Sequence, residues 1–160
     1  MIHGIDSGKI PTQLIYAEII QKAADDANVS ALLCYAIANR ETLRGQRAGS
    51  WDAASVVSAD GGHGLFQLTS SWPSDWADPS ANTAYAIAHF IKPAMDWLVE
   101  QGLEGDALIK GIAASFNAGL GAAWNAHVSQ NDFDACTTGN DYASDVLANY
   151  LALHSGHAVS

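Results

Sequence analysis

Positive charge is scarce in this chain. Seven lysines and arginines stand against seventeen aspartates and glutamates, for a formal net charge of −10. Holding a phosphate backbone takes clustered cations, so this balance argues against a nucleic-acid partner and favours a neutral or weakly ionic ligand. Cysteine is nearly absent too. Cys34 lies in an apolar run and Cys136 in a polar one, so they offer at most one bridge, and two free thiols is the plainer reading. No run approaches the roughly 18 consecutive apolar residues of a membrane span, and no stable membrane insertion is expected. The opening MIHGIDSGKIPTQLIYAEII has neither the basic start, the unbroken apolar core nor the small-residue cleavage site of a secretory signal, so synthesis in the cytoplasm without a signal peptide is expected.

What is present fits one compact unit. The chain has 160 residues, 49% of them hydrophobic and only four of them proline. That is enough to bury roughly 70% of the unfolded surface without a disulfide or metal, and a single domain over 1–160 is expected. Trp51, Trp72, Trp76, Trp97 and Trp124 offer flat faces that could stack on sugars, or plain packing.

Hydrophobic spacing makes the chain mainly α. Leu14, Ala17, Ile20 and Ala24 recur at three- and four-residue intervals, which predicts an amphipathic helix over Gln13 to Ala27. A second helix, SALLCYAIANRETL, has Ser30 as its N-cap and is apolar all round, so a central, buried place is expected. Gly45 to Asp78 is a long connection rich in Gly, Ser, Asp and Trp, with room for a short β-hairpin. Helix returns in DPSANTAYAIAHFIKPAMDWLVEQG, with Ser80 as the candidate cap, Pro93 breaking or kinking it after Ile91, and Gly102 ending it. EGDALIKGIAASFNAG closes at Gly119, GAAWNAHV gives a short helix, and DYASDVLANYLAL a final one.

Glu41 lies four residues after Ile37 and eight after Leu33, so it shares their stripe and points to the interior or a cleft. Burial and the negative end of the helix dipole both raise a carboxyl pKa, which would keep Glu41 protonated near neutrality and able to act as a general acid. The other reading is an ion pair with Arg40, Arg44 or Arg47, which would lower its pKa.

Three segments occur in order: NRETL (Asn39 to Leu43), GHGLFQLT (Gly62 to Thr69) and AASFNAGLG (Ala113 to Gly121), followed by Tyr142 in NDYASDVLANY. This arrangement resembles the lytic transglycosylase and goose-type lysozyme superfamily, over roughly Gln13 to Tyr150. The resemblance implies a mainly α, lysozyme-like fold and cleavage of the β-1,4 bond between N-acetylmuramic acid and N-acetylglucosamine in peptidoglycan. Glu41 then matches the general acid. Gly64, Leu65, Phe66 and Gln67 match a glycine-leucine-methionine-glutamine segment: the glycine would let backbone approach the sugar, the apolar pair would form a wall, and the Gln67 amide would donate and accept. Asn117 matches an asparagine beside the acetamido pocket, and Tyr142 a tyrosine whose hydroxyl orients the catalytic carboxyl. Phe66, Leu68 and Phe116 stand where methionine, isoleucine and tyrosine are usual.

Hydrolysis usually needs a second carboxylate, and Asp60, ahead of Gly61, is the better candidate, with Asp52 earlier in the loop. Lytic transglycosylases resemble neither hydrolytic pattern: one glutamate serves, and the muramic acid 6-hydroxyl attacks internally to leave a 1,6-anhydro end. Thr69 stands where goose-type lysozymes can carry an aspartate. Hydrolysis is favoured here; a lytic transglycosylase, a chitinase of the same superfamily and an inactive glycan-binding module are the alternatives. His63 reads as a solvent-facing or hydrogen-bonding residue, and the acidic NDFDACTTGND as a solvated turn rather than a calcium loop, since it lacks the ordered ligands of an EF-hand. No metal or cofactor is expected. The implied protein is a monomeric bacteriophage endolysin whose partner is the glycan strand of the wall, reached in the periplasm after release.

Overall fold

A computed structural model describes residues 1–44 and 53–156. Among these residues the chain is mainly helical: α1 (Ala17–Ala27), α2 (Ala31–Ala38), α3 (Pro79–Ala86), α4 (Lys92–Glu100), α5 (Gly105–Ala118), α6 (Leu120–Gln130) and α7 (Tyr142–His154). No helix among them is long and apolar enough to cross a membrane.

The centre is α2. Every residue from Ala31 to Ala38 is buried, so the helix has no wet face and must be covered on all sides; α1 and α7 pack against it, and α7 in turn packs on α5. Ser30 caps it as expected, its hydroxyl accepting from the Leu33 N–H at 3.2 Å while donating to the Asp6 carbonyl at 2.6 Å. One short side chain thus starts the helix and pins the N-terminal segment to it. Cys34 in this helix is buried, Cys136 is half-buried, and both are free thiols.

Several predicted boundaries move. The first helix begins at Ala17, not Gln13, because Tyr16 takes a left-handed conformation (φ 59°) and breaks the pattern at its start. Asp78, not Ser80, caps α3: Pro79 occupies the first turn, and the Asp78 carboxylate accepts from the Ser80 N–H. The boundary expected at Pro93 does fall after Ile91, where one helical element hands over to α4. A wide turn at Ile87–Ile91, closed by Lys92 N–H to the Ile87 carbonyl, shifts the register so that Pro93 falls in the first turn of α4, where a missing N–H costs little. The helix expected to be short runs eleven residues, Leu120–Gln130, after Gly119 (φ 93°) ends α5.

A second wide turn, Asn39–Leu43, extends α2 and carries Glu41. It closes with Arg44 N–H donating to the Asn39 carbonyl at 3.0 Å.

The described part of the long connection, from Ala53 on, is irregular rather than a hairpin. It holds isolated antiparallel bridges from His63 to Val57 and to Leu68, and Asn82 of α3 secures it. The Asn82 carboxamide accepts from the Phe66 N–H at 2.8 Å and donates to the His63 and Trp76 carbonyls at 3.0 Å each. Thr42 adds a tie from the wide turn, its hydroxyl donating to the Leu65 carbonyl at 2.7 Å. Because Asn82 is fully buried, Asn82→Ala leaves three backbone groups without these partners. A loss of about 2–4 kcal/mol in urea unfolding is expected.

Candidate active site

The expected site residues are separated by more than a hundred positions, and the fold brings several of them to one cleft of about 280 Å³. This is at the small end of ligand sites, which span roughly 300–1,000 Å³. Glu41, Asp60, Gln67 and Asn117 line it, with Ser58, Thr69, Ser70 and Thr138 supplying hydroxyls and Leu68, Phe90 and Phe116 the apolar side. Phe116 meets Phe90 edge-on at 6.1 Å and Phe66 behind it at 6.2 Å, which stiffens that wall.

Glu41 is half-buried, with the Tyr142 hydroxyl donating to its Oε1 at 2.6 Å. Its carboxyl is pushed up from the ordinary range to about 7, chiefly by burial and slightly by the Asp60 charge, against the lowering effects of the Tyr142 hydrogen bond and Arg40. Among the described residues, neither Arg40 nor Arg44 forms the ion pair with Glu41 that was the other reading. Arg40 donates to Asp145 at 3.0 Å and Asp141 at 3.1 Å, and Arg44 donates to Asp145 at 2.7 Å. These bridges join the end of the α2 line to the start of α7, and the Arg40 guanidinium stands 5.1 Å from the Tyr142 ring centre. Arg47, Trp51 and Asp52 lie outside the described residues.

Asp60 is exposed. Its carboxylate accepts from the Ser58 hydroxyl and the Gly62 N–H, and these bonds, Ser58 foremost, hold it below the usual carboxylate range. The cleft therefore pairs a carboxyl raised toward neutrality with one held below the usual carboxylate range.

Gly64, Leu65 and Phe66 do not line the cleft. Leu65 and Phe66 are fully buried in the core, because apolar side chains in a loop without periodicity turn wherever water is excluded. Gly64 (φ 72°) faces Asn82: a Cβ there would fall 2.5 Å from the Asn82 amide nitrogen and 2.8 Å from the Trp76 carbonyl. The glycine lets Asn82 approach, not a sugar. Gln67 does face the cleft, but its amide nitrogen donates to the Gly64 carbonyl at 3.0 Å and the Val56 carbonyl at 3.3 Å, so only its oxygen is left for a ligand. Its backbone is left-handed (φ 50°), a small strain held at the cleft wall by these bonds. Asn117 clamps Thr138, accepting from its N–H at 2.9 Å and donating to its hydroxyl at 3.3 Å; one N–H and one lone pair remain.

The described tryptophans stand away from the cleft. Trp97 and Trp124 meet edge-on at 5.0 Å, and His63 stacks on Trp72 at 3.8 Å with Trp76 at its edge. His63 Nδ1 also lies 3.3 Å from the Leu68 carbonyl, so it is a hydrogen-bonding residue, as expected, packed against two tryptophans. No group of three or more His, Cys, Asp or Glu able to hold a metal occurs among the described residues. The acidic segment read as a solvated turn contains instead a buried carboxylate, Asp134, which accepts from the start of α7. Asp134 stands eight residues ahead of α7 with Asp141 at the N-cap position, so no local capping pattern marks it. Asn82 carried no signal either.

No protein-family model matches the chain, and no curated protein is significantly similar to it.

The raised Glu41 carboxyl has a consequence for stability that does not depend on catalysis. A group whose pKa is higher folded than unfolded stabilises the fold at low pH, and that contribution is lost as pH rises through the folded value. Between pH about 4.5 and about 7 the loss comes to about 3 kcal/mol, at roughly 1.4 kcal/mol per unit. Urea unfolding should show Glu41→Gln less stable than wild type, or equal to it, at pH 4 and more stable at pH 8. Parallel pH dependences of the two proteins would contradict the assignment of a raised carboxyl.

Proposed function

We propose that this chain is a lysozyme-like muramidase that hydrolyses the β-1,4 bond between N-acetylmuramic acid and N-acetylglucosamine in the glycan strands of peptidoglycan. The observation that carries the reading is the Glu41 carboxyl, held by Tyr142 in a cleft and raised to about 7, in the segment order that resembles the lytic transglycosylase and goose-type lysozyme superfamily. The uncharged amides and hydroxyls of the cleft suit a neutral sugar.

In this mechanism Glu41 donates its proton to the glycosidic oxygen as the bond to the muramic acid anomeric carbon breaks, and the sugar becomes oxocarbenium-like. A water oxygen adds to that carbon and gives its proton to the Asp60 carboxylate. The Gln67 carbonyl oxygen and the remaining Asn117 donor and acceptor orient the sugar hydroxyls and acetamido group. A transglycosylase would instead let the muramic acid 6-hydroxyl attack, its proton going to the Glu41 carboxylate. The ionised Asp60 on the cleft wall is what favours water.

Glu41→Gln should lower wall-clearing activity by about 10²–10⁴-fold with the circular-dichroism spectrum unchanged. Full activity in that variant would leave a glycan-binding module or another chemistry. Mass spectra of released muropeptides should show reducing ends; products lighter by one water would assign transglycosylation, and cleavage of chitin oligomers in preference to wall would assign a chitinase.

A further inference from the structure

Asp134 has no part in the reaction just described, yet it is an expensive residue to place. It is only 2% exposed, and a buried carboxylate is tolerated only when it is fully bonded. Its Oδ1 accepts from the Ala143 N–H at 2.6 Å and the Thr137 hydroxyl at 2.8 Å, and its Oδ2 from the Ser144 N–H at 2.9 Å and the Ser144 hydroxyl at 2.5 Å. Ala143 and Ser144 are the second and third residues of α7, whose N–H groups an N-cap side chain ordinarily takes. The N-cap itself, Asp141, makes no side-chain cap bond; its carboxylate goes to Arg40. Asp134 therefore caps α7 from outside, from the short 3₁₀ turn Phe133–Cys136. Thr137 completes the arrangement, its hydroxyl oxygen accepting from the Tyr142 N–H at 3.3 Å.

The first residue of a helix is where fraying is greatest, and here that residue is Tyr142, whose hydroxyl meets Glu41. We propose that Asp134 is a positioning residue for the Glu41–Tyr142 pair: by capping α7 through Ala143 and Ser144 it holds the helix end from which the Tyr142 hydroxyl reaches Glu41 Oε1. Its catalytic meaning rests on the reading of Glu41 as the general acid; the geometric claim does not.

Tyr142 is placed against Glu41 by one hydrogen bond that stabilises the ionised carboxyl, so loosening it raises the Glu41 pKa further. Among the described residues, the other charges around the pair are Arg40 on Glu41's own turn, Asp141 at the N-cap of α7 and Asp145 within it, Arg44, and Asp60 on the facing loop. Changing Asp134 to asparagine removes none of these charges, and Asp141 and Asp145 stay tied to Arg40 and Arg44 by their own bridges.

The test is a ¹³C NMR titration of the Glu41 carboxyl in folded wild type, Tyr142→Phe, Asp134→Asn and the double variant, alongside the pH profile of wall clearing. Tyr142→Phe and Asp134→Asn should both move the Glu41 midpoint upward, the double variant no further than Tyr142→Phe alone, and the basic limb of activity should move with it. Should Asp134→Asn fail to fold, Ser144→Ala removes one side-chain bond to the Asp134 carboxylate and should give a smaller shift in the same direction. A folded variant with the wild-type Glu41 midpoint, or a shift that adds fully to that of Tyr142→Phe, overturns the proposal. A shifted midpoint in a protein that never cleaves wall supports the positioning role and overturns the proposed function.

Discussion

A carboxyl at the end of a helix with no polar face is the constraint around which the rest is arranged. α2 is buried on every side, and Glu41 continues its line into the cleft. Leaving it bare there would favour a permanently neutral group; burying it with an arginine would favour a permanently charged one. The chain does neither. It supplies one hydroxyl, Tyr142, and turns the neighbouring guanidiniums of Arg40 and Arg44 onto α7 carboxylates, so the balance falls near neutrality.

The two halves of the site depend on different kinds of support. On the α7 side the ties are charged: two arginines, Asp141 and Asp145 on the surface, and Asp134 beneath. On the loop side they are neutral, made by the Asn82 carboxamide and the Thr42 hydroxyl onto backbone groups. Salt should therefore weaken the exposed bridges of the first set while leaving the second largely untouched.

Much of the helical frame was legible because it follows from periodicity. The all-apolar run of α2, Ser30 as its cap and Gly119 as a stop are local signals with local causes. The inward stripe of Glu41 came from the same arithmetic; the meeting of Glu41 with Tyr142, 101 residues away, did not, and entered only through the segment order. In the irregular loop there is no period to say which way a side chain turns, so Gly64, Leu65 and Phe66 were assigned to the cleft although Asn82 and the core claim them. Asp134 was misread for a related reason: an acidic residue among Asp, Thr and Gly looks solvated until the helix end it caps is in place.

Glu41 and Phe90 share one further property. Both sit in wide turns: Asn39–Leu43 ends the α2 line at Arg44, and Ile87–Ile91 joins α3 to α4. Deleting one residue at Ile87–Ile91 would let α3 run straight into α4, but α4 would be rotated by about 100° relative to the wall that carries Phe90.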